Sequence, residues 1–455
     1  MKNNSIMIML ILLIVSTGSL FGAGFALSGQ GSRATAMGGA FRGLADDATA
    51  MFWNPAGLGF MNETSASLGG TFILPSSNWE PTAAVPGIPS ATYESKKKLR
   101  AFPSIFLVED TEKPFKWGFS AYVPYGLGAT WDAYTLPTTM PTSPTTQVDI
   151  TYAADFPEEE MMSSLAIIDA HPTVAYQITP KLSAGLGISL MYGMVEIQKI
   201  KPFTLPAPLN TMNPWYSPMT INLDGTGIGI GANLGLLYKA TPALSIGLTG
   251  KTPSKLYMDG EAELYLWLNS AVSGMMGSPD PIKSGGTDDI KTEINLPGEL
   301  AVGFSYKIKP NWALNLDYAY TLWSGLDKAT ITMDDSIMIM TSKIEETELN
   351  FSWKDTSRVS LGTEYWMGVN ALRAGMYFEQ SAIPDETLSP TFPDINNKLS
   401  LNLGYGRVFG PLTLDLNGQV NLFQERKIET QSADNMTGTY NANVISGNLG
   451  LTYKF

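Results

Sequence analysis

The chain has no cysteine. That absence excludes a disulfide framework, a thiol nucleophile and the acylated cysteine of a lipoprotein. Histidine is almost missing as well. His171 stands alone, so a zinc site lacks ligands, and a hydrolase would need this one imidazole as its base with no nucleophile motif beside it. Charge is scarce at 16% of residues, and basic charge scarcer, with 29 Lys and Arg against 42 Asp and Glu for a formal charge of −13. A nucleic acid is therefore no partner for this surface. Long apolar runs are missing too, with one short exception. Ile6 to Val15 follows Lys2 and precedes Ser16, Thr17, Gly18 and Ser19. This run is too short for a spanning helix and reads as a secretory signal peptide over residues 1–22, cleaved near Gly22 or Ala23. No catalytic centre, cofactor or metal site is expected.

What the sequence does contain is alternation. At the C-terminus Ile445, Gly447, Leu449, Leu451, Tyr453 and Phe455 point one way, and Ser446, Asn448, Gly450, Thr452 and Lys454 the other. The same arithmetic sets Leu412, Leu414, Leu416 and Val420 against Thr413, Asp415, Asn417, Gln419 and Asn421. It also sets Trp312, Leu314, Leu316, Tyr318 and Tyr320 against Ala313, Asn315, Asp317 and Ala319. A soluble sandwich alternates in this way too. Export, the closing aromatic residue and the connections argue instead for lipid on the apolar face.

Those connections alternate in length. Tight ones fall at Thr179 to Pro180, Lys239 to Pro242, Lys309 to Asn311, Met367 to Asn370 and Phe409 to Pro411. Long ones are expected at Ser76 to Lys98, Tyr134 to Ser164, Lys199 to Asn222, Glu261 to Glu293, Lys328 to Glu348, Ser381 to Asn397 and Lys427 to Asn441. Short turns belong on the periplasmic side and long loops outside. The expected fold is all-β: a transmembrane antiparallel β-barrel of about 14 strands over residues 63–455. The Gly-, Ala- and Ser-rich stretch before it, residues 23–62, shows no alternation and reads as a plug.

Several short motifs carry a resemblance. They are Ala23-Gly24-Phe25, Ala45-Asp46-Asp47-Ala48, Asn54-Pro55-Ala56-Gly57-Leu58, Ser357-Arg358-Val359-Ser360-Leu361-Gly362, Leu372-Arg373-Ala374-Gly375 and Ile383-Pro384-Asp385-Glu386, then Ser389-Pro390 and Phe392-Pro393-Asp394. In this order they resemble the FadL family of outer-membrane hydrocarbon transporters, which includes the TodX-like aromatic-hydrocarbon channels. The resemblance implies an outer-membrane channel for passive uptake of long-chain fatty acids or similar lipophiles, with an N-terminal hatch in the lumen and a lateral exit through the wall. It gives Phe25 the role of an apolar contact that moves when ligand arrives. It places Asn54, Pro55 and Ala56 beside the wall opening, with Asn54 holding that gate. An aromatic-hydrocarbon channel of the same fold is the alternative, with a general porin or an adhesive barrel behind it. The channel is read as a monomer in contact with outer-membrane lipid and lipopolysaccharide.

Proline gives the wall opening separate support. Trp117, Phe119, Ala121 and Val123 alternate and then meet Pro124, which cannot donate to a ladder, and the flexible Gly126 and Gly128. The bland alternative is that Pro124 starts an outer loop. For a ligand carboxylate, Lys251 and Arg373 are candidate partners on strands, although lumen arginines also serve structural networks. Leu264, Leu266, Trp267, Met275 and Met276 are candidates for an outer groove that captures an apolar tail, or else they pack their own loop. Lys96, Lys97, Lys98 and Arg100 form a basic run suited to lipopolysaccharide phosphates or to plain solvation.

Overall fold

The computed structural model describes residues 24–27, 29–82, 91–111, 114–132, 136–143, 145–157, 161–206, 208–209, 212–388, 395–429 and 437–455. The signal peptide, its cleavage position, Ala23, and the motif residues Ser389, Pro390, Phe392, Pro393 and Asp394 lie outside them.

Alternating side chains need a surface with two different solvents, and a closed antiparallel barrel of fourteen strands provides it. The strands are β1 Ser65–Pro81, β2 Arg100–Glu109, β3 Phe115–Trp131, β4 Met161–Thr179, β5 Leu182–Pro202 and β6 Pro218–Lys239. Four long strands follow, each in two pieces: β7 Leu244–Lys251 and Ser254–Leu268, β8 Ile282–Leu296 and Gly298–Lys309, β9 Trp312–Leu322 and Lys328–Ile339, β10 Ser342–Asn350 and Thr356–Met367. The last are β11 Asn370–Glu379, β12 Lys398–Phe409, β13 Leu412–Phe423 and β14 Gly438–Lys454. Closure comes from β1 on β14, paired from Ser65 opposite Lys454 to Pro81 opposite Gly438.

Each expected tight turn is present at one end of the barrel, joining β4 to β5, β6 to β7, β8 to β9, β10 to β11 and β12 to β13. Thr179 and Thr241 hold two of them by accepting backbone N–H groups through their hydroxyls. Exposed aromatics ring that end: Tyr176, Tyr238, Tyr306, Trp312, Tyr365, Phe409, Tyr453 and Phe455. A second set, including Tyr192, Tyr257 and Tyr320, lies about ten residues further up, the length of strand that crosses a bilayer. Between them the outer face is Leu, Ile and Met, as a lipid band requires.

The opposite end differs from expectation. The segments Glu261 to Glu293 and Lys328 to Glu348 are not loops: β7 pairs with β8 up to Leu268 opposite Ile282, and β9 with β10 up to Ile339 opposite Ser342. Polar side chains line their outer faces, which made them look loop-like. Their inner faces are apolar and pack together through Leu264, Leu266, Ile290, Ile331, Ile337 and Ile339. The barrel wall therefore continues beyond the lipid band as a sheath.

The segment from Gly24 to Asn62 precedes β1 and packs against inward-facing positions on several strands. It holds three short helical pieces, Ser32–Ala36, Ala50–Trp53 and the 3-10 turn Pro55–Phe60. Met37 lies on Gly362 of β10 and Gly375 of β11, where any side chain on those glycines would strike it. Ion pairs fix the contact. Arg33 binds Glu364 at 2.8 Å, and Arg42 binds Glu299 at 2.6 Å, while Asp317 accepts the N–H groups of Phe41 and Arg42. Removing one partner from such a buried pair costs roughly 3–5 kcal/mol, so this layer is firmly held. Above it the interior turns apolar, around Phe25, Leu165, Ile167, Met191, Leu256, Leu296, Trp323 and Trp353.

Candidate functional site

In the sheath the upper pieces of β8 and β9 pair only from Ile290 to Thr292, and lower in the wall the seam of β2 and β3 is broken as well. β2 and β3 pair only from Glu109 opposite Trp117 to Ile105 opposite Ala121. Beyond that, Arg100 to Ser104 pair with β1 but not with β3, and Tyr125 to Trp131 pair with β4 but not with β2, although Ser95 and Lys96, ahead of β2, bond to Trp131 and Thr130 at the far end. The cause is in the sequence: the register of β3 on β4 slips between Tyr122 and Tyr125, around Pro124, and Pro103 stands across the break. Neither proline can donate to a ladder. A side chain on Gly126 would meet the Phe102 ring at 3.0 Å, and one on Gly128 would meet the Arg100 guanidinium at 2.2 Å. Glycine at both positions leaves that space to side chains of β2.

The free edge of β3 finds another partner. Leu27 N–H donates to the Pro124 carbonyl at 3.0 Å, and Gly126 N–H donates to the Phe25 carbonyl at 3.0 Å, making a short bridge of Ala26 with Tyr125. Gln30 adds a side-chain bond to the Val123 carbonyl at 2.6 Å. The N-terminal residues thus take the place that β2 vacates. Unpaired backbone beside hydrocarbon is costly, and this bridge satisfies it. Phe25 itself sits among aromatic rings, with centroids 5.0 Å from Trp323, 5.3 Å from Trp353 and 5.7 Å from Tyr125.

Of the residues singled out in the sequence, Phe25, Pro124 and Gly126 come together at this break. Asn54 does not. Its amide donates to the Arg42 carbonyl at 2.9 Å and to the Leu236 carbonyl on β6 at 3.1 Å, and its oxygen accepts from Ala56 N–H at 3.2 Å. Asn54 therefore ties the segment to the wall three strands round from the opening, where Pro55 packs on Gly185 and Ala56 is fully buried. The link to the break is indirect: Trp53 donates to the Gln30 carbonyl, and Phe52 packs on Tyr122 at 5.3 Å.

Arg373 is likewise elsewhere. It is buried between Glu364 at 2.7 Å and Asp415 at 2.5 Å, sharing Glu364 with Arg33, so it belongs to the ion-paired layer rather than to a ligand. Lys251 faces inward over the Phe52 ring at 3.9 Å and lines a small cavity with Tyr125, Met191 and Leu296. Leu264, Leu266 and Trp267 are buried rather than open, because the extended β7 turns Leu264 and Leu266 into the sheath while Phe156 and Thr220 cover Trp267. Met275 and Met276, at the end of the helix Ser270–Met275, are exposed. Pro103, Trp323 and Trp353 were missed. The rule applied to Pro124 applies equally to Pro103, but nothing in the sequence pairs Trp323 with Trp353.

His171 is enclosed between Asn233 at 3.1 Å and Ser189 at 3.1 Å. Ser189 donates to Asp169 at 2.8 Å, not to the imidazole, so no activated nucleophile results. No group of metal-binding side chains occurs among the described residues.

A lipid-facing barrel with an apolar interior and a sideways break is the architecture of an outer-membrane channel for hydrophobic solutes. The chain matches the outer membrane protein transport protein family (OMPP1/FadL/TodX) over residues 13–455, and it belongs to that family. It is 26% identical over 399 residues to a long-chain fatty acid transport protein of Salmonella typhi, covering 84% of this chain and 83% of the relative. Outer membrane protein P1 of Haemophilus influenzae is 23% identical, with 90% of each chain covered. Among solved structures, a Pseudomonas aeruginosa FadL homologue superposes with a TM-score of 0.72 at 16% identity over 95% of this chain and 100% of its own. The Pseudomonas putida toluene transporter TodX gives 0.70 at 17% identity over 94% and 99%. These structures share the fold. The family is one of outer-membrane transporters of hydrophobic substrates, not of enzymes.

Proposed function

We propose that this protein takes up long-chain fatty acids or comparable lipophiles passively, with residues 23–62 acting as a hatch and the β2–β3 break as the exit into the membrane. One observation carries the reading: next to the slip in β3 the free edge is bridged by the residue beside Phe25, whose ring sits in the apolar chamber, while Ser95 and Lys96 bridge that edge at its far end. A ligand that displaces Phe25 therefore pulls on the Phe25 carbonyl and the Ala26 bridge together. Binding in the chamber and opening of the wall become one event. Burial of an acyl chain supplies about 0.8 kcal/mol per CH₂, enough to compete with one aromatic ring.

Met275 and Met276 offer a soft apolar contact at the outer end, and Lys251 offers a cation for a carboxylate in the chamber. The channel is taken as a monomer, with which closure of the barrel by one chain is compatible, and its apolar belt is set in outer-membrane lipid and lipopolysaccharide. An aromatic-hydrocarbon cargo is the second reading, favoured by the aromatic surround of Phe25.

The test is binding and permeation by the purified mature chain. Oleate should shift the tryptophan fluorescence, with the shift lost when Trp323 and Trp353 are both Phe, and liposomes bearing the protein should remain tight to small sugars. Sugar permeation together with unchanged fluorescence would contradict the proposal. Toluene displacing oleate, with higher affinity, would favour the second reading.

A further inference from the structure

On the inner side of the unpaired stretch of β2 and β3, bounded also by β1, β12, β13, β14 and the N-terminal residues Gly24, Ala26 and Leu27, lies a cavity of about 90 Å³. Ile73, Phe102, Phe423 and Val444 give it an apolar lining, Arg100 and Lys398 line it as well, and no Asp or Glu does. Lys398 has a carboxylate partner, Glu379, at 3.3 Å. Arg100 has none among the described residues. Its Nη1 donates to the Ser164 hydroxyl at 3.4 Å, and its buried Nε has no hydrogen-bond partner. A part-buried guanidinium whose Nε is shut off from water with no counter-charge beside it is an unfavourable arrangement unless an anion pairs with it.

Sequence position alone hid this group. Arg100 follows three lysines in a basic run, yet its register opposite Ile73 turns it to the inner face, with Phe102, Phe106 and Val108, while Leu99 faces out. Its fork sits over Gly128, beside the stretch where β2 and β3 do not pair.

We propose that Arg100 is an exit subsite for the head group of an anionic lipophile. The planar guanidinium takes a carboxylate in two parallel hydrogen bonds, satisfying Nε, while Phe102, Phe423 and Ile73 receive the first carbons of the tail. Arg100 thereby speeds acids through the gap by a contact that neutral lipids of the same length, passing the same way, do not make. This inference rests on the lateral exit proposed above.

The test compares uptake of oleate and of oleyl alcohol by cells whose only transporter is the wild-type, Arg100→Gln or Arg100→Lys protein, at matched amounts of folded barrel. Arg100→Gln should lower oleate uptake about tenfold, the loss of one charge-assisted contact, and leave oleyl alcohol unchanged. Arg100→Lys, which keeps the charge, should recover most of the oleate uptake. Equal losses for both cargoes would overturn the subsite and make Arg100 a filler of the gap. Unchanged oleate uptake in Arg100→Gln would also overturn it, with the lateral exit left standing. A wild-type protein that carries neither cargo would overturn both.

Discussion

Two seams of the same barrel show what the break is for. Where β1 meets β14 the ladder runs unbroken from Ser65 to Pro81, and the residues beneath it bond tightly inside the wall, as Ser67 does to Thr452 and Thr71 to Asn448. Where β2 meets β3 the ladder stops at Ile105 and Ala121, prolines stand near both edges, and the missing bonds come from the N-terminal residues. A closed barrel has no thermodynamic reason to leave an edge open in lipid. The protein keeps this edge and covers it with a piece of chain held by two backbone bonds, one side-chain bond from Gln30 and one ring, a contact weak enough to exchange for a ligand.

Filling the break should erase the difference between the seams. Gly128→Trp occupies the gap and is expected to reduce uptake of oleate to that of cells without the protein, whereas Gly447→Trp, on the outer face of the intact seam, should leave it unchanged. Weakening the cover should have the next largest effect. Phe25→Ala removes a buried aromatic side chain, a change that costs roughly 3–5 kcal/mol in a protein core. Amide exchange at Leu27 and Gly126 should accelerate by on the order of a hundredfold, with amides of the β1–β14 ladder unaffected. Loosening the anchor comes third. Asn54→Ala leaves the Arg42 and Leu236 carbonyls short of a donor, costing about 1–3 kcal/mol, so residues 23–62 should become protease-sensitive while the barrel keeps its unfolding temperature. The smallest effect is expected from Met275→Ala with Met276→Ala: a few-fold rise in half-saturating oleate and no change in maximal uptake, as suits a capture surface remote from the break.

The sequence announced the barrel because period-two alternation and turn chemistry are local. Ser446 and Asn448 face in and Leu449 and Leu451 face out, as their parity requires. It announced the break through Pro124 for the same reason. It misled about Glu261 to Glu293, where acidic outer faces disguised strands whose inner faces are Leu264 and Ile290. It also misplaced Asn54, and for Arg373 it left a ligand contact and a structural network both open, because a motif names a residue but not which of fourteen strands it reaches. The partners of Asn54 lie on β6 and those of Arg373 on β10 and β13, and only the closed structure brings them together. Arg100 was hidden most thoroughly, since whether it faces lipid headgroups or the interior depends on register alone.

The most direct measurement uses the absence of native cysteine. Ala26 and Tyr125 form a narrow pair, flanked by the Leu27 and Gly126 hydrogen bonds, so Ala26→Cys with Tyr125→Cys places two thiols at disulfide distance. Oxidation should bring oleate uptake down to the level of cells without the protein, and a reductant should restore it. Full uptake through the oxidised, cross-linked chain would contradict the account.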